Sequence, residues 1–164
     1  MKTLFLVRHA KSSWDNPSLS DFDRPLNKRG KHDAPFMGKL LKSKDIIPDF
    51  IVSSSAVRAV TTARHFAEAF EIPKNLIQLE ENLYDAEIKD ILTVIRGCDD
   101  QYNSLMLFGH NPGLTECANY LCQHPIDNIV TAGVYSIGFD VGTWKKVDHG
   151  NGTFRFYEYP KKYK

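Results

Sequence analysis

The sequence predicts an α/β fold, a three-layer α/β/α sandwich around a mixed, mostly parallel central sheet. Three observations lead there. Four short apolar runs alternate with segments of helical periodicity as far as Leu121. The remainder switches to alternating apolar and polar residues around glycine-rich turns, the pattern of antiparallel strands. Finally, 164 residues at 42% hydrophobic and 25% charged suit one core and carry no linker composition, so a single domain over residues 1–164 is expected.

Residues 3–7 (TLFLV) read as a buried strand, followed at once by the polar stretch RHAKSSWDNPSLSDFDRP. Residues 28–44 read as a helix with Phe36, Leu40 and Leu41 on one side, and Pro35 inside it implies a kink or a later start. Residues 50–54 (FIVSS) form the second strand, and the helix of residues 56–70 follows. Residues 76–79 (LIQL) read as a short third strand. Ile88, Ile91, Leu92 and Ile95 give residues 87–96 helical spacing. Residues 104–108 (SLMLF) make the fourth buried strand, which runs into GHNPG and a helix over residues 114–121. Residues 134–141, 143–147 and 153–159 alternate as antiparallel strands at the sheet edge.

With 21 Lys+Arg against 20 Asp+Glu, the net charge of +1 argues against binding nucleic acid through bulk charge. A nearly neutral chain can still concentrate arginines in one cleft. The three cysteines, Cys98, Cys117 and Cys122, show neither zinc spacing nor a disulfide framework, so reduced thiols are expected. The N-terminal apolar run stops at Arg8 and His9, short of the 7–15 residues a secretory h-region needs and the ~20 of a membrane helix. A cytoplasmic protein with no membrane or nucleic-acid partner is expected.

In open α/β sheets, ligands bind outside the carboxyl ends of the strands. Arg8 and His9 follow the first strand; Ser53, Ser54, Ser55 and then Arg58 follow the second; Gly109, His110 and Asn111 follow the fourth. Two arginines and two histidines converging there would make a phosphate pocket, because guanidinium matches phosphate oxygens bidentately. A neutral imidazole can attack phosphorus, with arginines stabilising the equatorial oxygens and nearby cations lowering the histidine pKa. Such a pocket requires no metal or other cofactor. His9 and His110 could instead ligate a metal with Asp15 or Asp85, but two arginines in the same cleft oppose a divalent cation. GxxxxGK[ST], GxGxxG, GxSxG and HExxH are absent, which disfavours nucleotide-binding, serine-hydrolase and zinc-protease readings.

VRHAKSSW, RPLNKRG, SSSAVRAVTTA and FGHNPG, in this order, resemble the histidine phosphatase superfamily with its phosphoglycerate mutase-like fold. The short length, RPLNKRG, LYDA and GHNPG are most similar to its SixA-type phosphohistidine phosphatase branch, over about residues 3–138. The resemblance implies that His9 is the phosphorylated nucleophile, that Arg8 and Arg58 grip the phosphoryl group, and that His110 completes the pocket. It also brings Arg24 to the pocket, where an ion pair with Asp21 or Asp23 is the competing reading.

Two departures stand out. Ala10 replaces the glycine of the family's Arg-His-Gly signature, which is tolerable only at negative φ. The general acid of mutase-like members has no clear counterpart in EENLYDAE: Tyr84 falls at its position, with Glu81 and Asp85 nearby. Phosphohistidine is a phosphoramidate whose imidazole leaves readily, whereas an alkoxide needs a proton. The missing acid therefore points to a phosphohistidine-bearing protein as substrate. A broad phosphomonoesterase on small phosphorylated metabolites and a phosphate-binding module without turnover are the alternatives.

Overall fold

Alternate residues of the first strand face different cores, because side chains on a strand point to opposite sides with a period of two. In β1 (Lys2–Arg8), Leu4 and Leu6 enter one core and Phe5 and Val7 the other. In β4 (Ser104–Gly109), Leu105 and Leu107 divide from Met106 and Phe108 in the same way. A strand covered on both faces has to be apolar throughout, which is why these runs lack alternation.

The computed structural model describes residues 1–164 and has one six-stranded sheet of order β3-β2-β4-β1-β5-β6. β1, β4, β2 (Phe50–Ser54) and β3 (Gln78–Glu80) pair in parallel, while β5 (Val134–Phe139) and β6 (Gly152–Glu158) add an antiparallel edge. α1 (Lys28–Ser43) and α2 (Val57–Phe70) cover the Phe5 and Val7 face through Met37, Leu41, Phe66 and Phe70. α3 (Ile88–Arg96) and α4 (Gly113–Leu121) cover the Leu4 and Leu6 face through Ile91, Ile95, Leu114 and Leu121. Each such fully buried side chain contributes about 1.5–3 kcal/mol. No helix is long and apolar enough to cross a membrane.

Three expectations need correction. Of LIQL only Ile77 is buried; Leu76 closes a 3-10 turn (Lys74–Leu76) and the ladder to β2 begins at Gln78. Residues 143–147 are not a strand. Asp100 accepts the Trp144 amide and the Thr143 hydroxyl, and a 3-10 turn (Trp144–Lys146) places Trp144 and Val147 in the core. Their i, i+3 spacing suits that turn, where side chains three apart eclipse; on a strand they would face opposite sides. α1 begins at Lys28 and runs through Pro35, and its buried face is Ala34, Met37 and Leu41, with Phe36 and Leu40 at the margin.

The start of α1 lies directly beneath the chain that leaves β1. Asn27 caps it by accepting the Gly30 amide at 2.9 Å. A Cβ on Gly30 would stand 2.1 Å from the carbonyl oxygen of Lys11, so the close approach requires glycine. Ala is the better helix former by about 1 kcal/mol, yet Gly30→Ala should destabilise the protein by about 1–3 kcal/mol. Urea unfolding measures this; a stabilised variant would mean that the contact is slack.

Candidate functional site

Three parallel strands end side by side and deliver the candidate residues. Arg8 pairs with Gly109 in the β1–β4 ladder, so the residues that follow, His9 and His110, emerge as neighbours. The His9 amide donates to the Gly109 carbonyl at 3.2 Å, and the two imidazole rings lie 5.2 Å apart. β2 leads into α2, whose first turn carries Arg58. Thr62, one turn later, donates to the Arg58 carbonyl at 2.7 Å and accepts the Ala10 amide at 2.9 Å. Thr62, which sequence reasoning left without a role, thus ties the residue after His9 to the helix that carries Arg58.

His9 is only 7% exposed. Its Nδ1 lies 2.7 Å from the Ala10 carbonyl, which can only accept, so Nδ1 carries the proton and Nε2 keeps its lone pair. Burial lowers the His9 pKa to about 3, with His110, Arg58 and Arg8 adding to the effect against the Ala10 hydrogen bond. Desolvation, rather than the arginines alone, therefore holds the ring neutral. His110 is likewise lowered to about 4 by burial and by Arg58. Its Nε2 meets Ser54 Oγ at 2.8 Å. Ser54 Oγ already accepts the Ala56 amide, so its own proton is free for that nitrogen.

Each guanidinium has two edges for an oxyanion, the Nη1–Nη2 end and the Nε–Nη2 side. Arg8 gives Nη1 to the Ile129 carbonyl at 3.1 Å. Arg58, 5% exposed, gives Nη1 to the Asp21 carbonyl at 2.5 Å and Nη2 to the Asp21 carboxylate at 3.0 Å. In both arginines Nε is buried and without a partner, and so is Nδ1 of His110. Ser136 Oγ, in β5, is the one other buried side-chain polar atom in that condition. Leaving a buried donor unpaired costs about 1–3 kcal/mol, so such atoms are rare outside functional sites. Gathered around a histidine with a free Nε2, they suit a tetrahedral oxyanion.

The remaining candidates divide. Arg24 is buried beside the site, but Nε and Nη2 hold Asp21 Oδ1 and Nη1 holds Ser12 Oγ, so it extends the network rather than offering a free edge. Tyr84 stands edge-on to His110 with ring centroids 5.5 Å apart. Its hydroxyl donates to Asp21 Oδ2 at 2.6 Å, and that bond, with burial, raises its pKa. Glu81 is exposed in a 3-10 turn, and Asp85 is exposed with φ of 54°, lining a separate hollow with Glu87, Pro112 and Glu116. Neither carboxylate joins the two histidines. No three His, Cys, Asp or Glu side chains group together as metal ligands.

The residues around these groups have structural places of their own. Ala10 is fully buried and is not among the residues with positive φ, so the methyl group fits the core without backbone strain. Phe22 packs edge-on against Tyr84, but Trp14 is 72% exposed and lies flat on Arg24 at 3.5 Å. An open hollow of about 760 Å³ adjoins this loop, lined by Lys11, Trp14, Lys28, Arg29 and His32 among others. Asn111 accepts from the Thr115 amide at the start of α4 and donates to the same Ile129 carbonyl that Arg8 uses. Asp21 and Ser54 join this network without a role assigned from the sequence, Asp21 having been named there only as an ion-pair partner of Arg24 and Ser54 only as one of the serines past the second strand.

Residues 4–91, more than half of the chain, match the histidine phosphatase superfamily (branch 1). An uncharacterized chloroplastic protein of Arabidopsis thaliana is 33% identical over 128 residues, which is 73% of this chain and 59% of that protein. The chain thus spans less than two thirds of that relative's length. The crystal structure of the putative phosphohistidine phosphatase SixA from Agrobacterium tumefaciens superposes with a TM-score of 0.83 at 25% identity, covering 97% of this chain and 98% of that one. A protein histidine phosphatase SixA complexed with tungstate gives a TM-score of 0.84 at 21% identity over 99% of both chains, a likeness of fold.

The buried histidines make stability depend on pH. An unfolded histidine titrates near 6.5, whereas His9 protonates only near 3 in the native state. Between those values the unfolded state binds more protons, so stability is fully present above about pH 6.5 and is lost as pH falls. His9 should contribute a slope of up to about 1.4 kcal/mol per pH unit to urea-derived stability in that window, and His9→Asn should remove it. A slope unchanged by the substitution would show that the ring is not buried in its neutral form.

Proposed function

The chain belongs to the histidine phosphatase superfamily, and from that premise we propose a metal-independent phosphatase that hydrolyses protein phosphohistidine through a phospho-His9 intermediate. One observation carries the reading: Arg8 Nε, Arg58 Nε and His110 Nδ1 are buried without partners around a histidine whose Nε2 lone pair is free. An oxyanion would give all three nitrogens partners at once.

Each step follows from these groups. The Nε2 lone pair of His9 attacks phosphorus, and the bond from phosphorus to the substrate nitrogen breaks, its electron pair returning to a ring whose other nitrogen carries a proton, so that neutral imidazole leaves. Because His9 is already neutral, no separate base is needed to free its lone pair. Arg8 and Arg58 offer their Nε–Nη2 edges to the equatorial oxygens, where negative charge is spread during transfer. In the second step water attacks the phosphoryl group on His9, the N–P bond breaks, Nε2 regains its lone pair, and the water's proton leaves with phosphate or solvent. The bond that holds Nδ1–H to Ala10 fixes the same nitrogen for both steps.

Leaving-group chemistry supports the substrate class. Tyr84, at the position of the missing acid, commits its proton to Asp21 and has a raised pKa, which makes it a poor donor to an alkoxide. Imidazole needs far less help. A cytoplasmic setting is part of the proposal, supported by the free thiols of Cys98, Cys117 and Cys122.

Purified protein should dephosphorylate a phosphohistidine carrier protein with a kcat/KM about a hundredfold or more above that on sugar phosphates, with turnover unchanged by EDTA. Comparable rates on both would favour the broad phosphomonoesterase. Phosphate binding without turnover on either would mean a binding module. Arg8→Ala and Arg58→Ala should each lower kcat/KM about 10²–10³-fold, the scale of losing one preorganised donor to a transition-state oxygen.

A further inference from the structure

Asp21 is the most connected residue of the long loop between β1 and α1, and the reaction described above gives it no part. Its Oδ1 accepts Arg24 Nε at 3.1 Å and Arg24 Nη2 at 3.0 Å. Its Oδ2 accepts Arg58 Nη2 at 3.0 Å and the Tyr84 hydroxyl at 2.6 Å. Its main-chain carbonyl accepts Arg58 Nη1 at 2.5 Å. The Nη1–Nη2 end of Arg58 is therefore held by one residue through two different oxygens.

The planarity of guanidinium decides what remains. With the end taken, Arg58 can offer the Nε hydrogen and the second Nη2 hydrogen, which point the same way along the side edge. That Nε is the buried atom without a partner. Arg8 arrives at the same presentation by another route, its Nη1 held by the Ile129 carbonyl and its Nε likewise buried and unpaired. Two arginines from different elements thus show the same edge, each fixed by an acceptor at Nη1. Asp21 is consequently not in competition for the edge that the phosphoryl group would use.

We propose that Asp21 is a positioning residue, whose grip on the end of Arg58 turns that arginine's Nε–Nη2 edge towards the phosphoryl position beside His9. The role rests on the phosphatase reading above. Arg24 braces the carboxylate from the other side, with its own Nη1 on Ser12 Oγ at 2.7 Å and its plane against Trp14. A chain of contacts then runs from Trp14 through Arg24 and Asp21 to Arg58, and through Tyr84 to His110. The Tyr84 hydrogen bond and the two arginines keep the Asp21 pKa at about 2, so the clamp keeps its charge at working pH.

The proposal makes a prediction opposite in sign to simple charge counting. Removing a carboxylate beside an anion site should tighten phosphate binding if Coulomb repulsion were its main effect. If Asp21 positions Arg58, removing its charge releases the guanidinium to other rotamers, and binding should weaken. Inorganic phosphate titrated into the full chain by calorimetry, for wild type and Asp21→Asn, separates the two. The dissociation constant should rise about tenfold or more in Asp21→Asn, with KM rising and kcat falling on a phosphohistidine protein. The ¹⁵Nε signal of Arg58 gives a second readout: phosphate should shift it sharply in wild type and leave it broadened in Asp21→Asn, while circular dichroism confirms that the variant is folded. Equal or tighter phosphate binding by folded Asp21→Asn overturns the positioning role and leaves the phosphatase reading intact. A wild-type chain that binds no phosphate overturns that reading, and the role of Asp21 with it.

Discussion

The parallel pairing of β1 with β4 is the constraint on which the site rests. Its register sets Val7 against Phe108 and Arg8 against Gly109, and the next residue on each strand is a histidine. A slip of one residue would send Leu4 and Leu6 to the wrong core and separate His9 from His110. Burial on both faces makes such a slip prohibitive, so the position of the two imidazoles is secured by hydrophobic packing far below them. The neighbouring strands then supply the rest. β2, beside β4, leads into the helix that bears Arg58, and the segment before β5, beside β1, brings the Ile129 carbonyl to Arg8.

Electrostatically the site is a local exception within a neutral molecule. The chain as a whole carries +1, yet Arg8, Arg58 and Arg24 surround two histidines that burial keeps uncharged. Asp21 balances part of that charge from the side away from the unpaired edges. Three buried nitrogens without partners are a cost to the free protein, and strained or unsatisfied groups of this kind persist where function requires them. A bound oxyanion would recover that cost, so affinity and stability are linked through the same atoms.

Much of this was legible in the sequence because hydrophobic burial wrote it there. The buried strands were apolar runs of the right length, and polar residues just past three of them singled out candidate ligand-binding ends. Arg8, His9, Arg58 and His110 were found that way and do lie together. What stayed hidden depends on contacts between distant segments. Nothing in DFDRP says that Asp21 will meet Arg58 and Tyr84, 37 and 63 residues away. Thr62 looks like any helix threonine until the backbone of Ala10 arrives beside it. Residues 143–147 misled because a threonine, a tryptophan and a valine between glycine-bearing turns have strand-forming composition, whereas Trp144 and Val147, three apart, share one side only on a tight turn. The methyl group of Ala10 could be judged only once its φ was known.

In the proposed mechanism Arg8, Arg58 and His110 converge on one phosphoryl position in line with Nε2 of His9. A crystal structure with vanadate, which adopts the five-coordinate geometry of phosphoryl transfer, tests it most directly. Vanadium should be bonded to His9 Nε2, with its equatorial oxygens within hydrogen-bond distance of Arg8 Nε, Arg58 Nε and His110 Nδ1. Vanadate bound away from His9, or held with those three nitrogens still unpaired, would contradict it.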